Sequence, residues 1–145
     1  MFKRILVGLD GSPREPGVLQ QAVEFAERFG GELHLCRAMQ VPLSIPALAW
    51  SLKGEDFEAF LIEHGLNELK HCASTIPKGI VTHRWCKLGP PAEVLCDLAS
   101  ENGADLIVVG TNGHDRVDQF LGTTAAKIAN RAPCSVTVVR ERNQA

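Results

Sequence analysis

The chain has 145 residues, 45% hydrophobic and 22% charged, which fits one soluble domain with a sizeable core and leaves little room for a second. A formal net charge of −2, without any cluster of Lys or Arg, argues against nucleic acid as a partner. No apolar run approaches 18 residues, and Asp10 cuts short the apolar segment behind Lys3 and Arg4, so neither a membrane span nor a signal peptide is expected and a cytoplasmic location is.

Residues 5–9 (ILVGL) read as a first strand, stopped by Asp10, Gly11, Ser12 and Pro13. Over 16–29, Val18, Leu19, Ala22, Val23, Ala26 and Phe29 recur at helical spacing, and Gly30-Gly31 ends the helix. Residues 32–39 (ELHLCRAM) make a second strand. The stretch 41–53, with Pro42, Pro46 and Trp50, is long for a strand-to-helix connection and is expected to be a lid or a packing arm. The longest helix covers 55–74, with Phe57, Phe60, Leu61, Leu66 and Leu69 toward the core and Gly65 as a mild weakness. Residues 79–88 alternate enough for an edge strand with one exposed face. Gly89-Pro90-Pro91 turn the chain into a third helix, AEVLCDLASEN, where Pro91 suits a first turn whose N–H would be unpaired anyway; Gly103 caps it. Residues 106–109 form an unbroken apolar run, the mark of a strand buried on both faces. Gly122, Thr123 and Thr124 open a last helix that ends near Arg131, and 135–140 (SVTVVR) make the fifth strand. The alternation predicts a single α/β domain over 1–145: a Rossmann-like open sheet of five parallel strands with helices on both faces.

Chemistry concentrates at two strand ends. After the fourth strand, Gly110 and Gly113 precede Gly122 and a helix N-terminus. Glycine lets backbone amides approach phosphate oxygens, and the unpaired amides of a first helical turn attract an anion. After the first strand comes Asp10. Ligands of open α/β sheets sit beyond the carboxyl ends of strands where the chain order reverses. If these two strands are neighbours, Asp10 faces the glycine loop, a carboxylate opposite a phosphate cradle. The pattern is no Walker A loop, since G-K-[ST] does not occur, and no dinucleotide fingerprint, whose glycines would follow the first strand.

The blander readings are tight turns for the glycines and a turn or helix-cap role for Asp10. Five scattered cysteines, none in a C-x-x-C pair, read as free thiols rather than disulfides or a zinc site. His34, His64, His71 and His83 read as surface or satisfied core residues. His114 borders the expected phosphates. Trp50 and Trp85 read as packing residues.

With ILVGLDGS at its start, GPPAEVL before the third helix, ADLIVVG before the loop and APCSVTVVR at its close, the chain resembles the universal stress protein family over almost its whole length. The ATP-binding branch of that family carries glycine, two residues, glycine, nine residues, then glycine with Ser or Thr. Gly110, Gly113 and Gly122-Thr123 fill those places, with eight residues, His114 to Leu121, where the family usually has nine. A shorter loop must change its path, or the helix must begin earlier.

The resemblance implies an adenine nucleotide α-hydrolase-like fold that binds ATP. Asp10 would lie near the ribose, or near phosphate-bound magnesium through water, and Leu9 would line the adenine pocket. The backbone of Ala38 would meet the adenine edge. Val109, Gly110, Asn112 and Gly113 would wrap the ribose and α-phosphate, and Gly122, Thr123 and Thr124 would serve the β- and γ-phosphates. Family members often carry arginine after the second glycine, where this chain has His114 and, two residues on, Arg116. Apart from Asp10 and Arg116 no pair is evident for phosphoryl transfer, so ATP is expected to be held and at most slowly hydrolysed. The fifth strand, apolar and at the sheet edge beside the fourth, is expected to pair with a second copy as a homodimer. The rivals are a family member acting through protein contacts alone and an enzyme of the related α-hydrolase fold, for which no S-G-G-x-D loop is found.

Overall fold

The computed structural model describes residues 1–40, 54–111 and 122–140. Five strands alternate with four helices: β1 (Arg4–Gly8), α1 (Glu15–Phe29), β2 (Glu32–Met39), α2 (Gly54–Ala73), β3 (Thr82–Leu88), α3 (Pro91–Glu101), β4 (Leu106–Gly110), α4 (Thr123–Arg131) and β5 (Ser135–Val139). All pairings are parallel, in the order β3-β2-β1-β4-β5. This is the Rossmann-like α/β architecture expected from the alternation, with β3 and β5 at the edges.

Side-chain alternation along the inner strands builds two cores. Ile5, Val7 and Leu9 point with Leu33, Leu35, Leu106 and Val108 to one face, where Val18, Leu19, Ala22 and Ala26 of α1 and Leu69 of α2 cover them. Leu6, Cys36, Ile107 and Val109 point to the other face, covered by Leu95 and Leu98 of α3 and Ile128 of α4. Because β1 and β4 are apolar on both faces, they read as unbroken hydrophobic runs. The helices stop as their residues dictate. Gly30 ends α1 in the left-handed conformation (φ 63°), giving its N–H to the Ala26 carbonyl. Asn102 caps α3, with Gly103 just beyond it.

Two expectations need correction. The third strand begins at Thr82, not Gly79, because Ile80 closes a turn back onto the Pro77 carbonyl (3.2 Å), and its burial does not alternate cleanly. On α2 the buried stripe is Leu61, Gly65 and Leu69, so Phe60 falls outside it and is exposed, stacked on His64 one turn later. The expected lid or arm over 41–53, Trp50 included, lies outside the described residues. Among the described residues no helix is long and apolar enough to cross a membrane.

Candidate functional site

The helix that follows β1 covers one face of the sheet, and the helix that follows β4 covers the other. Adjacent strands whose connections leave in opposite directions open a crevice at their carboxyl ends. A hollow of about 960 Å³ lies there, at the upper end of what small-molecule sites occupy. Leu9, Asp10, Gly11 and Ser12 line it from the end of β1, Ala38 and Gln40 from the end of β2, Val109 and Gly110 from β4, Pro91 and Leu95 from α3, and Thr124 from α4. A smaller hollow of about 640 Å³ sits at the opposite end of the strands, lined by Lys3, Arg4, Gly31 and Val81, and contains none of the residues expected to hold a nucleotide.

The wall formed by residues 9–12 is a built turn. Asp10 Oδ1 accepts the N–H of Ser12 (2.9 Å), and Gly11 takes a positive φ of 76°, which side-chain-bearing residues rarely adopt. Asp10 is therefore a turn residue as well as a wall of the hollow, and its Oδ2 has no partner among the described residues. Beneath the turn lies the guanidinium of Arg37, only 6% exposed. Its Nε donates to the Leu9 carbonyl (3.1 Å), one terminal nitrogen to Glu15 (3.0 Å), and the other to Glu68. Glu15 also accepts the Cys72 thiol (2.8 Å). Burial, and then that hydrogen bond, push the Cys72 thiol up to about 11, so it stays protonated at neutral pH. Arg14 donates to the Thr111 carbonyl (3.3 Å) and to its hydroxyl, tying the start of α1 to the end of β4.

Of the residues singled out by sequence, Leu9, Asp10, Ala38, Val109, Gly110 and Thr124 come together around the hollow. Gly122 and Thr123 are not among the lining residues; Gly122 is the N-cap and Thr123 the first residue of α4, so the helix begins directly after the third glycine and not earlier. Asn112 and Gly113, with His114 and Arg116, lie outside the described residues. Gly110 has a packing reason of its own. A Cβ there would come within 3.0 Å of Val18 Cγ2 on α1, so this glycine lets the helix approach the strand.

Arg14, Arg37, Glu15 and Glu68 went unnoticed in the sequence, although two signals were present. Arg37 alternates with Leu33 and Leu35 and so had to point into the core, where an arginine needs partners. Arg14 puts a cation at a helix N-terminus, against the preference of the helix dipole.

One further cluster has the composition of a metal site. Glu32, His34 and His83 bring one ligand atom each within 4.8 Å of one another. Its hydrogen bonds oppose that use. Trp85 Nε1 donates to His34 Nδ1 (2.9 Å), so the neutral ring carries its proton on Nε2 and donates it to Glu32 (2.9 Å). A metal would need the lone pair of that nitrogen, and ligating histidines donate from the other ring nitrogen rather than accept there. His34 is thus a satisfied core histidine, stacked on His83 and Trp85. Its hydrogen bond holds the Glu32 carboxyl below the ordinary glutamate range, with smaller pulls from the charges of His34, His83 and Arg4, while burial acts the other way. The five cysteines are free thiols, Cys36 buried and the others half-buried.

The profile of the Universal stress protein family matches residues 1–140. A curated relative from Coxiella burnetii, universal stress protein A homolog 2, is 29% identical over 140 residues, which cover 96% of this chain and 95% of the relative. Among solved structures, a universal stress protein in complex with cAMP superposes with a TM-score of 0.69 at 22% identity, over 97% of this chain and 99% of that one. A universal stress protein family protein from Arabidopsis thaliana with AMP bound gives 0.60 at 18% identity, over 97% and 93%. At such identities the two structures establish the shared fold.

Proposed function

Since this chain belongs to the universal stress protein family, we propose that it holds ATP in the hollow beyond β1 and β4 and works as a nucleotide-responsive stress or signalling factor in the cytoplasm. The observation that carries this reading is the convergence of Leu9, Asp10, Ala38, Val109, Gly110 and Thr124 on one crevice at the reversal of strand order. Adenine would sit between Leu9 and the Ala38 backbone, with the ribose near Asp10. Phosphates would run toward the first turn of α4, whose unpaired amides complement negative charge. Asn112, Gly113, Gly122 and Thr123 complete the proposed contacts. Oδ2 of Asp10, without a partner among the described residues, is the type of hard oxygen donor that a hydrated magnesium ion on those phosphates takes. Family members with cAMP and AMP bound support an adenine nucleotide as ligand.

Hydrolysis would at most be slow. Water must be oriented and charge on the moving phosphoryl group neutralised. Yet the guanidinium of Arg37, which lines the hollow, is already committed to Glu15, Glu68 and the Leu9 carbonyl. Two copies would pair through β5, an edge strand of the sheet.

A reading in which the protein acts through protein contacts alone draws support from Gly110, whose small size is explained by Val18 without any ligand. Titration with a fluorescent ATP analogue, with and without magnesium and in competition with AMP and cAMP, separates the two. Saturable binding displaced by unlabelled ATP is the expected result. Failure to bind any of these nucleotides would leave the protein-contact reading.

A further inference from the structure

We propose that Arg37 is a positioning residue of the nucleotide site: it clamps the turn at 9–11 from below so that Asp10 faces the ligand, an inference that rests on the nucleotide reading above. Both backbone groups of Leu9 are held from β2, its N–H by the Cys36 carbonyl (3.0 Å) and its own carbonyl by Arg37 Nε (3.1 Å). The peptide leading into Asp10 is therefore fixed at its start. Gly11 then passes directly over the guanidinium, where an added Cβ would lie 3.5 and 3.6 Å from its two terminal nitrogens. Asp10 Oδ1 closes the same turn from above by accepting the Ser12 N–H. The turn is thus caught between its own aspartate and a buried cation.

The guanidinium does this without offering free charge to a phosphate. Glu15, on α1, and Glu68, on α2, already compensate it, and Glu68 is shared with His64 (2.9 Å). Its contribution to binding is geometric. Arginine suits the task because its planar fork reaches a carbonyl and two carboxylates at once, which the single ammonium of lysine does not.

The test is a double-mutant cycle with Asp10, read as affinity for a fluorescent ATP analogue with magnesium. Arg37→Lys keeps the charge between Glu15 and Glu68, and a melting curve checks that it folds. If it does not, the charge-balanced pair Arg37→Gln with Glu68→Gln takes its place in the cycle. Arg37→Lys and Asp10→Asn should each bind about tenfold more weakly than the parent, and the combination about tenfold rather than a hundredfold, because both remove one interaction. A merely structural arginine would give losses that multiply to about a hundredfold, and that result, or parental affinity in Arg37→Lys, overturns the proposal. A parent that binds no nucleotide refutes the site itself, and this inference with it; a binding parent with multiplying losses refutes this inference alone.

Discussion

Arg37 is the residue on which charge and geometry meet. With its side chain 6% exposed, its removal would leave the carboxylates of Glu15 and Glu68 facing each other without compensation. Breaking a buried pair from one side costs about 3–5 kcal/mol, so Arg37→Met should lower the urea midpoint by an equivalent amount. Adding Glu15→Gln should recover part of the loss, because Glu15 is the more buried carboxylate (12% against 39% exposed) and water screens Glu68. An unchanged midpoint in Arg37→Met would show that the pair contributes nothing net. Glu32 supplies a pH test. Its folded pKa is lowered, so its stabilisation is complete above the ordinary glutamate pKa and is lost as pH falls through the lower folded value. Glu32→Gln should therefore melt earlier than the parent at pH 7, and the gap should close in acid; a gap that stays constant would assign the effect to packing. Arg37 went unnoticed in the sequence although its strand register faces the core, and its partners lie 22 and 31 residues away. Nothing in local spacing could pair them.

For the elements, α2 is the instructive case. Its buried stripe runs through Gly65, where a Cβ would meet Cys86 Sγ at 2.5 Å and Met39 at 3.3 Å. The glycine is what lets this helix lie close to β2 and β3. Gly65→Ala gains about 1 kcal/mol of helix propensity, against about 1–3 kcal/mol for overpacking a tight contact. The clash should win, giving a net loss near 1 kcal/mol by chemical denaturation, and Cys86→Ala in the same chain should restore stability by removing the sulfur. A more stable Gly65→Ala protein would mean that the sulfur moves aside freely. Helical periodicity located α2 and two of its core leucines, Leu61 and Leu69. It misplaced Phe60, because a large aromatic was given the inner face that a glycine in fact occupies.

On the scale of the whole molecule, β5 decides how copies would meet. The Val139 carbonyl accepts the Thr111 N–H (3.3 Å) and so turns toward β4; by strand alternation Val138 turns its backbone groups outward. Proline at that position removes an outward donor and spares the bonds to β4. In sedimentation experiments the parent should run as a dimer and Val138→Pro should shift toward monomer with its secondary structure kept. A monomeric parent would dispose of the proposed pairing.

Sequence alone determined the order of elements, the two-faced burial of β4, and edge places for β3 and β5. Each of these follows from patterns within a few residues, where the 2.0 and 3.6 periods of backbone geometry act. Only the tertiary structure decided that β1 and β4 are neighbours, which turned two separate strand ends into one crevice. It alone showed Arg37 beneath Gly11, Arg14 on Thr111, and Val18 against Gly110. Those contacts join segments far apart in the chain, and their distances are set by how helices pack across a twisted sheet.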